Sequence, residues 1–261
     1  MLELHGIEAG YGKQTVLRDV CVSVPSGSVV AVLGPNGAGK TTMLRVASGL
    51  LRPSAGKVVL AGEDVTRTRP YARVRRGLCH IPEGRGIYPT LTVRENLVLH
   101  SRKGEQAAAQ ERAVSAFPVL GAKLRQPAGQ LSGGQQQMLS LVRAYLSSPT
   151  LVLVDEASMG LAPVVVDKIF EFLRQVAASG TALLIVEQYV NRALALADTV
   201  YVLNKGRMVF TGKPGEITDD LFAHYVGAGA RLSQHRAGRG RRGSRRRSGL
   251  QADALSAAAV R

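Results

Sequence analysis

Three short runs hold the side chains whose types and spacing could do chemistry. The first is Gly34-Pro-Asn-Gly-Ala-Gly-Lys-Thr41, which fits the P-loop pattern G-x-x-x-x-G-K-[ST] at every fixed position. Glycine at 37 and 39 lets the backbone curl until successive N–H groups point inward, a geometry that binds phosphate oxygens. A helix starting there adds the partial positive charge of its N-terminus. Lys40 can reach the β- and γ-phosphates of a nucleoside triphosphate, and the Thr41 hydroxyl can ligate Mg²⁺. The candidate phosphate-binding set is Gly34, Pro35, Asn36, Gly37, Ala38, Gly39, Lys40, Thr41 and Thr42.

The second run, Leu151-Val-Leu-Val-Asp155-Glu156, is an apolar strand ending in two acids. In a parallel sheet the C-terminal strand ends open onto the ligand crevice, where a P-loop also lies. Asp155 would hold Mg²⁺ directly or through water, and Glu156 would orient or deprotonate an attacking water. Charged ends of buried strands are common, so this pair carries weight only beside the P-loop. The third run, Leu131-Ser-Gly-Gly-Gln-Gln-Gln137, precedes a helix read as Met138–Leu146. Spacing alone leaves two readings open there, a second anion site at a helix N-terminus or an N-capping serine with a flexible loop.

The elements that must position these runs can be read from hydrophobic pattern. Val29–Leu33 reads as a buried parallel strand, and 41–50 as a helix closing at Gly49. Upstream, Leu2/Leu4, Val16–Leu17 and Val20–Val24 read as short strands broken by glycines, and Lys57–Leu60 as another. From about Tyr71 to Tyr145 the chain turns polar, alanine-rich and helical, with breaks at Pro118, Pro127 and Gly129. After Leu151–Val154 comes a helix with Val166, Ile169, Phe170 and Leu173 on one face. Ala182–Val186, a helix near Val190–Ala197 and Val200–Leu203 follow. Strands alternating with helices predict an α/β fold with a largely parallel sheet.

Composition narrows the classes. The chain has 261 residues, 45% hydrophobic and 20% charged, enough for one large domain or two small ones. It lacks an apolar run of the roughly 18 residues a membrane helix needs and a signal-like N-terminus, and Cys21 and Cys79 stand far apart in no paired motif. The expected compartment is cytoplasmic. The net charge of +15 suggests nucleic acid, but residues 231–261 hold nine arginines against one acid, Asp253. That Arg/Gly/Ser tail is expected to be disordered and solvated, with at most loose attraction to anionic lipid or RNA. No specific nucleic-acid partner is expected.

Taken together, the P-loop, Leu131-Ser-Gly-Gly-Gln135 and the strand ending Asp155-Glu156 resemble the nucleotide-binding domain of ABC transporters over about residues 1–225. The resemblance implies a P-loop ATPase core with a parallel sheet, an N-terminal antiparallel β subdomain and an inserted helical subdomain at about 80–147. It divides the chain into a nucleotide-binding domain, 1–230, and the tail. It implies two ATP molecules sandwiched in a head-to-tail dimer, Ser132, Gly133, Gly134 and Gln135 of one chain completing the other's γ-phosphate site. Tyr11 matches the aromatic residue that stacks on adenine; alone it would read as an exposed strand-end tyrosine.

A finer resemblance lies in Ile81-Pro-Glu-Gly-Arg-Gly-Ile-Tyr-Pro-Thr-Leu-Thr-Val-Arg-Glu-Asn-Leu97, Ser158–Pro163 and Val186–Tyr189, which look like an ATP-binding subunit of branched-chain amino-acid importers. Two positions depart from the general family pattern. Glu83 stands at the usual glutamine and could bind the metal or its water shell; Gln188 stands at the usual switch histidine. Glutamine cannot titrate near neutral pH, yet its amide can still hydrogen-bond a γ-phosphate or water. The implied catalytic set is Glu156, Gln188 and Lys40, and the metal set Thr41, Glu83 and Asp155.

The expected function is ATP hydrolysis driving import of branched-chain amino acids through separate membrane permease subunits. Cofactors are ATP and Mg²⁺, the partner a second ATP-binding subunit, identical or related, and the location the cytoplasmic face of the membrane. The segment 83–97 is the candidate permease contact. A urea or amide importer differs from this reading in solute alone. A soluble ABC ATPase acting on nucleic acid or ribosomes would resemble tandem domains or carry long coiled-coil insertions, and neither occurs. A non-catalytic regulatory module, motivated by Gln188, is separated from an enzyme by phosphate release.

Overall fold

A computed structural model describes residues 1–218 except Arg85, Arg102 and Gln188, with Tyr145 described in its backbone only. The tail and the Gln188 assignment lie outside the described residues. Two sheets organise the chain. In the first, β1 (Leu2–Tyr11) pairs antiparallel with β2 (Gln14–Val24) on one side and β4 (Ala55–Leu60) on the other, and β5 (Glu63–Asp64) extends β4. The short strands expected upstream are thus two long ones. A register shift between Leu4 and Ile7, with Gly6 at φ 55°, carries β1 past the glycines that break its sequence pattern.

The second sheet contains β3 (Val29–Leu33), β6 (Leu78–Ile81), β7 (Leu151–Asp155), β8 (Ala182–Val186), β9 (Thr199–Asn204) and β10 (Arg207–Gly212). Its order is β10-β9-β3-β8-β7-β6, parallel except for the β9–β10 hairpin. Its central strands are apolar throughout because both faces are covered. Alternation sorts them: Leu151 and Leu153 of β7, with Leu184 of β8, face the core shared with the first sheet. Val152 and Val154, with Leu183 and Ile185, face a second core under the helices. Each such side chain contributes about 1.5–3 kcal/mol by leaving water.

Helices connect the strands: α1 (Lys40–Ser48), α2 (Pro70–Arg75), α3 (Val93–Leu99), α4 (Gln106–Ala116), α5 (Pro118–Gly121), α6 (Gly133–Leu146), α7 (Pro163–Ala178) and α8 (Val190–Leu196). Helices α3 to α6 all fall between β6 and β7. Two corrections concern this stretch. Leu78–Ile81, inside the region read as helical, is an edge strand paired in register with Leu151–Val154. Helix α6 begins at Gly133 rather than Met138. Its first turn is held by a capping box between Ser132 and Gln135, which offsets the poor helix propensity of two glycines.

One buried cation ties α1 to the stretch between β5 and α2. Arg73, 1% exposed, donates to Val46 O and Ala47 O at the C-terminal end of α1 and to Val65 O, at 2.7, 2.8 and 2.7 Å. The guanidinium satisfies last-turn carbonyls that the helix cannot. Gly49 ends α1 at φ 81°, and a Cβ there would stand 2.8 Å from Arg73 Nε.

Candidate active site

The first and second runs meet where β3 and β7 end. Strand β3 is buried at all five positions and delivers the chain into the loop 34–39. Gly34, at φ 155°, passes so close to the hairpin strand β9 that a Cβ would stand 2.1 Å from Leu203 O. Gly37 and Gly39 adopt φ 77° and 110°, left-handed conformations that favour glycine. The loop is braced at Ala38, whose N–H donates to Pro35 O at 3.1 Å and whose carbonyl accepts from Gly206 N at 2.9 Å. Gly39 caps α1 with no side-chain hydrogen bond, so the orphan N–H groups of the first turn are left to an anion.

Lys40 is 4% exposed, and its Nζ donates to Gly34 O at 2.9 Å and Pro35 O at 3.1 Å. The same ammonium stands 3.5 Å from Glu156 Oε1. Thr41 Oγ1 donates to Asp155 Oδ1 at 3.2 Å. Glu156 leaves β7 at φ 45°, an uncommon backbone for a non-glycine residue, and its N–H donates to Val186 O at 2.9 Å. Thus Lys40, Thr41, Asp155 and Glu156 converge from two sequence-distant elements.

They open on a cleft of about 430 Å³ lined by Asn36, Gly37, Gly39, Lys40, Thr41 and Thr42 on one side. Val16, Glu83, Glu156 and Met159 line the other. Val16 and Met159 were not singled out from the sequence; apolar residues in strand and loop carry no signal of their own there. A neighbouring cavity shares Glu83, Glu156 and Met159 and reaches Gln136 and Gln137 on α6. A larger cavity, about 670 Å³, lies between α4, α5 and α7 and includes none of these acids or the loop.

The cleft's electrostatics fit a cation and an anion arriving together. Asp155 is 1% exposed, and burial pushes its carboxyl up to about 6, reinforced by Glu156 and Glu83 and opposed by Thr41 and Lys40. A metal beside it would relieve that desolvated charge. Among the described residues no group of three or more His, Cys, Asp or Glu is arranged to hold a metal alone. One carboxylate and one hydroxyl match Mg²⁺, which takes its remaining ligands from phosphate and water.

Other expected site residues stand apart. Among the described residues lining the cleft, none comes from 132–135; those four sit at the start of α6, with Ser132 exposed. Tyr11 is 44% exposed at the end of β1, outside the cleft lining, where Arg45 Nη1 donates to its hydroxyl at 3.0 Å. Within the segment 83–97, residues 88–92 are tied to α3 by Asn96, buried on that helix. Asn96 Oδ1 accepts from Tyr88 N at 2.8 Å, and its Nδ2 donates to Tyr88 O, Leu91 O and Thr92 O at 3.0, 3.3 and 2.9 Å. Thr92 and Glu95 close a capping box beside it. The Thr-x-x-Glu spacing was a legible signal of that box, whereas the asparagine web was not.

The comparisons agree with this architecture. Residues 17–159 match the model of the ABC transporter family. BraG of Pseudomonas aeruginosa, a high-affinity branched-chain amino acid transport ATP-binding protein, is 39% identical over 80% of this chain and 91% of its own length. LivF of Archaeoglobus fulgidus, a probable branched-chain amino acid transport ATP-binding protein, is 34% identical over 84% of this chain and 94% of its own. The crystal structure of the ADP conformation of MJ1267, an ATP-binding cassette of an ABC transporter, superimposes with a TM-score of 0.72 at 27% identity, covering 85% and 94% of the two chains. A phosphate cradle and a buried acid pair meeting over one cleft, with those matches, place the chain in the ABC transporter family.

Proposed function

We propose that this ABC-family ATPase energises import of branched-chain amino acids through separate permease subunits at the cytoplasmic face of a membrane. The observation that carries the chemistry is the convergence of Lys40 and Glu156 over the uncapped N-terminus of α1. The solute rests on similarity to BraG and LivF and on the runs 81–97, 158–163 and 186–189. Among the described residues no helix is long and apolar enough to cross a membrane.

The chain's residues divide the work as follows. N–H groups of 37 and 39–42 bind the β- and γ-phosphate oxygens of ATP, and the Lys40 ammonium adds a charge-assisted bond to them. Tyr11 offers a face to the adenine ring. Thr41 Oγ1 and Asp155, with Glu83 toward the water shell, would hold Mg²⁺, which supplies charge neutralisation of the phosphates. Engagement of Lys40 by phosphate loosens its pairing with Glu156. The Glu156 carboxylate then takes a proton from water while the water oxygen bonds to the γ-phosphorus. The bond from that phosphorus to the β–γ bridging oxygen breaks, leaving its electron pair on ADP. Gln188 can hydrogen-bond the γ-phosphate or the water.

One face of the cleft is open, and the Ser132–Gln135 element of a second copy or a related chain would close it. ATP then favours the closed pair because its terminal phosphate touches both chains, and hydrolysis removes that link. The test is reconstitution with permease subunits in liposomes. ATP-dependent uptake of leucine, isoleucine or valine, lost with Glu156→Gln, supports the reading; uptake of urea or short amides instead, or no uptake coupled to hydrolysis, overturns it.

A further inference from the structure

Beyond the ends of β7 and β8 the two segments stay joined by a pair of buried side chains. The strands run parallel and pair in register from Leu151 with Ala182 to Asp155 with Val186. One more backbone rung follows, Glu156 N–H donating to Val186 O at 2.9 Å. From there the chain continues as two separate loops, one carrying 157–161 and the other Glu187. Side chains tie these loops again, Ser158 Oγ donating to Glu187 Oε2. Ser158 is 0% exposed and Glu187 2%.

Stability alone does not call for an acid at 187. Taking a carboxyl out of water carries a desolvation cost, whereas one more apolar residue after the run Ala182–Val186 would bury without it. What the carboxyl supplies is an acceptor fixed at the end of a central strand, within reach of a hydroxyl on the neighbouring loop.

Glu156 lies between the two ties. Its N–H is held by Val186, its carbonyl accepts from Met159 N at 3.2 Å, and Ser158 inside that turn is held by Glu187. The turn starts at φ 45° on Glu156, a backbone state that persists only where neighbouring bonds hold it. It also sets where the Glu156 carboxylate stands, 3.5 Å from Lys40 Nζ. Met159, at the far end of the turn, lines the same cleft. A bond buried behind the turn therefore bears on two residues in front of it.

We infer that Glu187 is a positioning residue for hydrolysis: through Ser158 it holds the turn 156–159 so that the Glu156 carboxylate is aimed at the attacking water. The inference rests on the general-base reading of Glu156 and adds the residue that aims the base. Gln188 follows Glu187 directly in sequence, so the same bond joins the loop of the base to the residue expected at the γ-phosphate.

The test measures steady-state hydrolysis by the full chain, ATP affinity by equilibrium titration and stability by urea midpoint. Ser158→Ala and Glu187→Ala should each lower kcat about tenfold to a hundredfold, the scale of a misplaced catalytic group, with KM and ATP affinity within about threefold. The double variant should fall no further than the worse single. Ser158→Thr, which keeps the hydroxyl, and Glu187→Gln, whose amide oxygen still accepts, should stay within about threefold of wild type. Added to Glu156→Gln, Ser158→Ala should change the residual rate by less than about twofold, because the group it aims is already gone.

Should Glu187→Ala fail to fold, Ser158→Ala with Glu187→Leu decides the matter, since removing both partners spares stability. A stable but slow double variant is expected; a stable one with wild-type kcat would overturn the inference. So would a loss confined to KM, or a full further loss in the Glu156→Gln background, which would mark a general defect of the fold. Wild-type turnover in Glu156→Gln alone would mark failure of the general-base reading itself. A slow Glu156→Gln beside an unaffected Ser158→Ala would sink the positioning role and leave that reading standing.

Discussion

Two helix N-termini in this chain start from similar residues, glycines with a hydroxyl beside them, and end in different states. At α1, Gly39 caps without a side chain, and the backbone N–H groups stand open over a cleft rimmed by Lys40 and Thr41. At α6, Ser132 and Gln135 close on one another at 3.1 and 3.4 Å, so the helix satisfies its own end and lies outside that cleft. The first is a cradle that needs an anion; the second can give up its cap to one. A site built from both can open and shut, because only one half is committed without ligand.

The sharpest way to break this contrast is at the acid that faces the open cradle. Glu156→Gln should lower hydrolysis by about a hundredfold to ten-thousandfold, the range for removing a general base, while ATP affinity measured by equilibrium titration stays within a few-fold. Turnover close to wild type would remove Glu156 from that role. Lys40→Ala comes next. Loss of a charge-assisted bond to phosphate should weaken ATP binding roughly tenfold to a hundredfold, read by the same titration.

Asp155 gives a smaller effect with a defined sign. Its folded carboxyl is raised to about 6 from 3.8, so above pH 6 folding must bury a charge that the unfolded chain keeps in water. Asp155→Asn should therefore stabilise the nucleotide-free chain by about 3 kcal/mol at pH 8. The gain should fade as pH falls through the window from 6 to 3.8, where the native acid takes up its proton. Urea midpoints at pH 8 and pH 4 check this. The smallest change belongs to the self-satisfied helix: Ser132→Ala should cost about 1 kcal/mol of stability through the lost cap. It should slow dimeric turnover about tenfold and leave ATP affinity of the monomer unchanged; a drop in monomer affinity would place Ser132 in the cleft of its own chain.

Much of the site was legible because phosphate binding demands particular residues at particular offsets. Gly34, Gly37 and Gly39 sit at backbone angles or approaches that a side chain would oppose, so their pattern shows in the sequence. Strands buried on both faces, such as Val29–Leu33, show for a related reason: nothing polar interrupts them. Strand β6 was hidden because Leu78-Cys-His-Ile81 has neither alternation nor a β-branched run, and its identity comes from pairing with β7. The start of α6 was set five residues late because Gly133 and Gly134 argue against helix, while a pair of side-chain bonds outweighs them.

The buried groups were least visible. Arg73 reads as one arginine among many on a basic chain, yet it seats the C-terminal end of the helix whose other end meets phosphate. Asn96 and Glu187 likewise take their meaning from carbonyls and a hydroxyl supplied by other segments. A hydrogen-bond network assembled by topology leaves no spacing in the sequence.

The central claim is that one chain's α6 N-terminus completes another chain's phosphate cradle, and a cysteine crosslink tests it most directly. With Cys21 and Cys79 replaced by serine, Ser132→Cys and Asn36→Cys are combined with Glu156→Gln and oxidised with and without ATP. A disulfide-linked dimer that forms rapidly with ATP and slowly without it is the predicted result. No dimer with ATP, or equal yields in both conditions, would contradict the account.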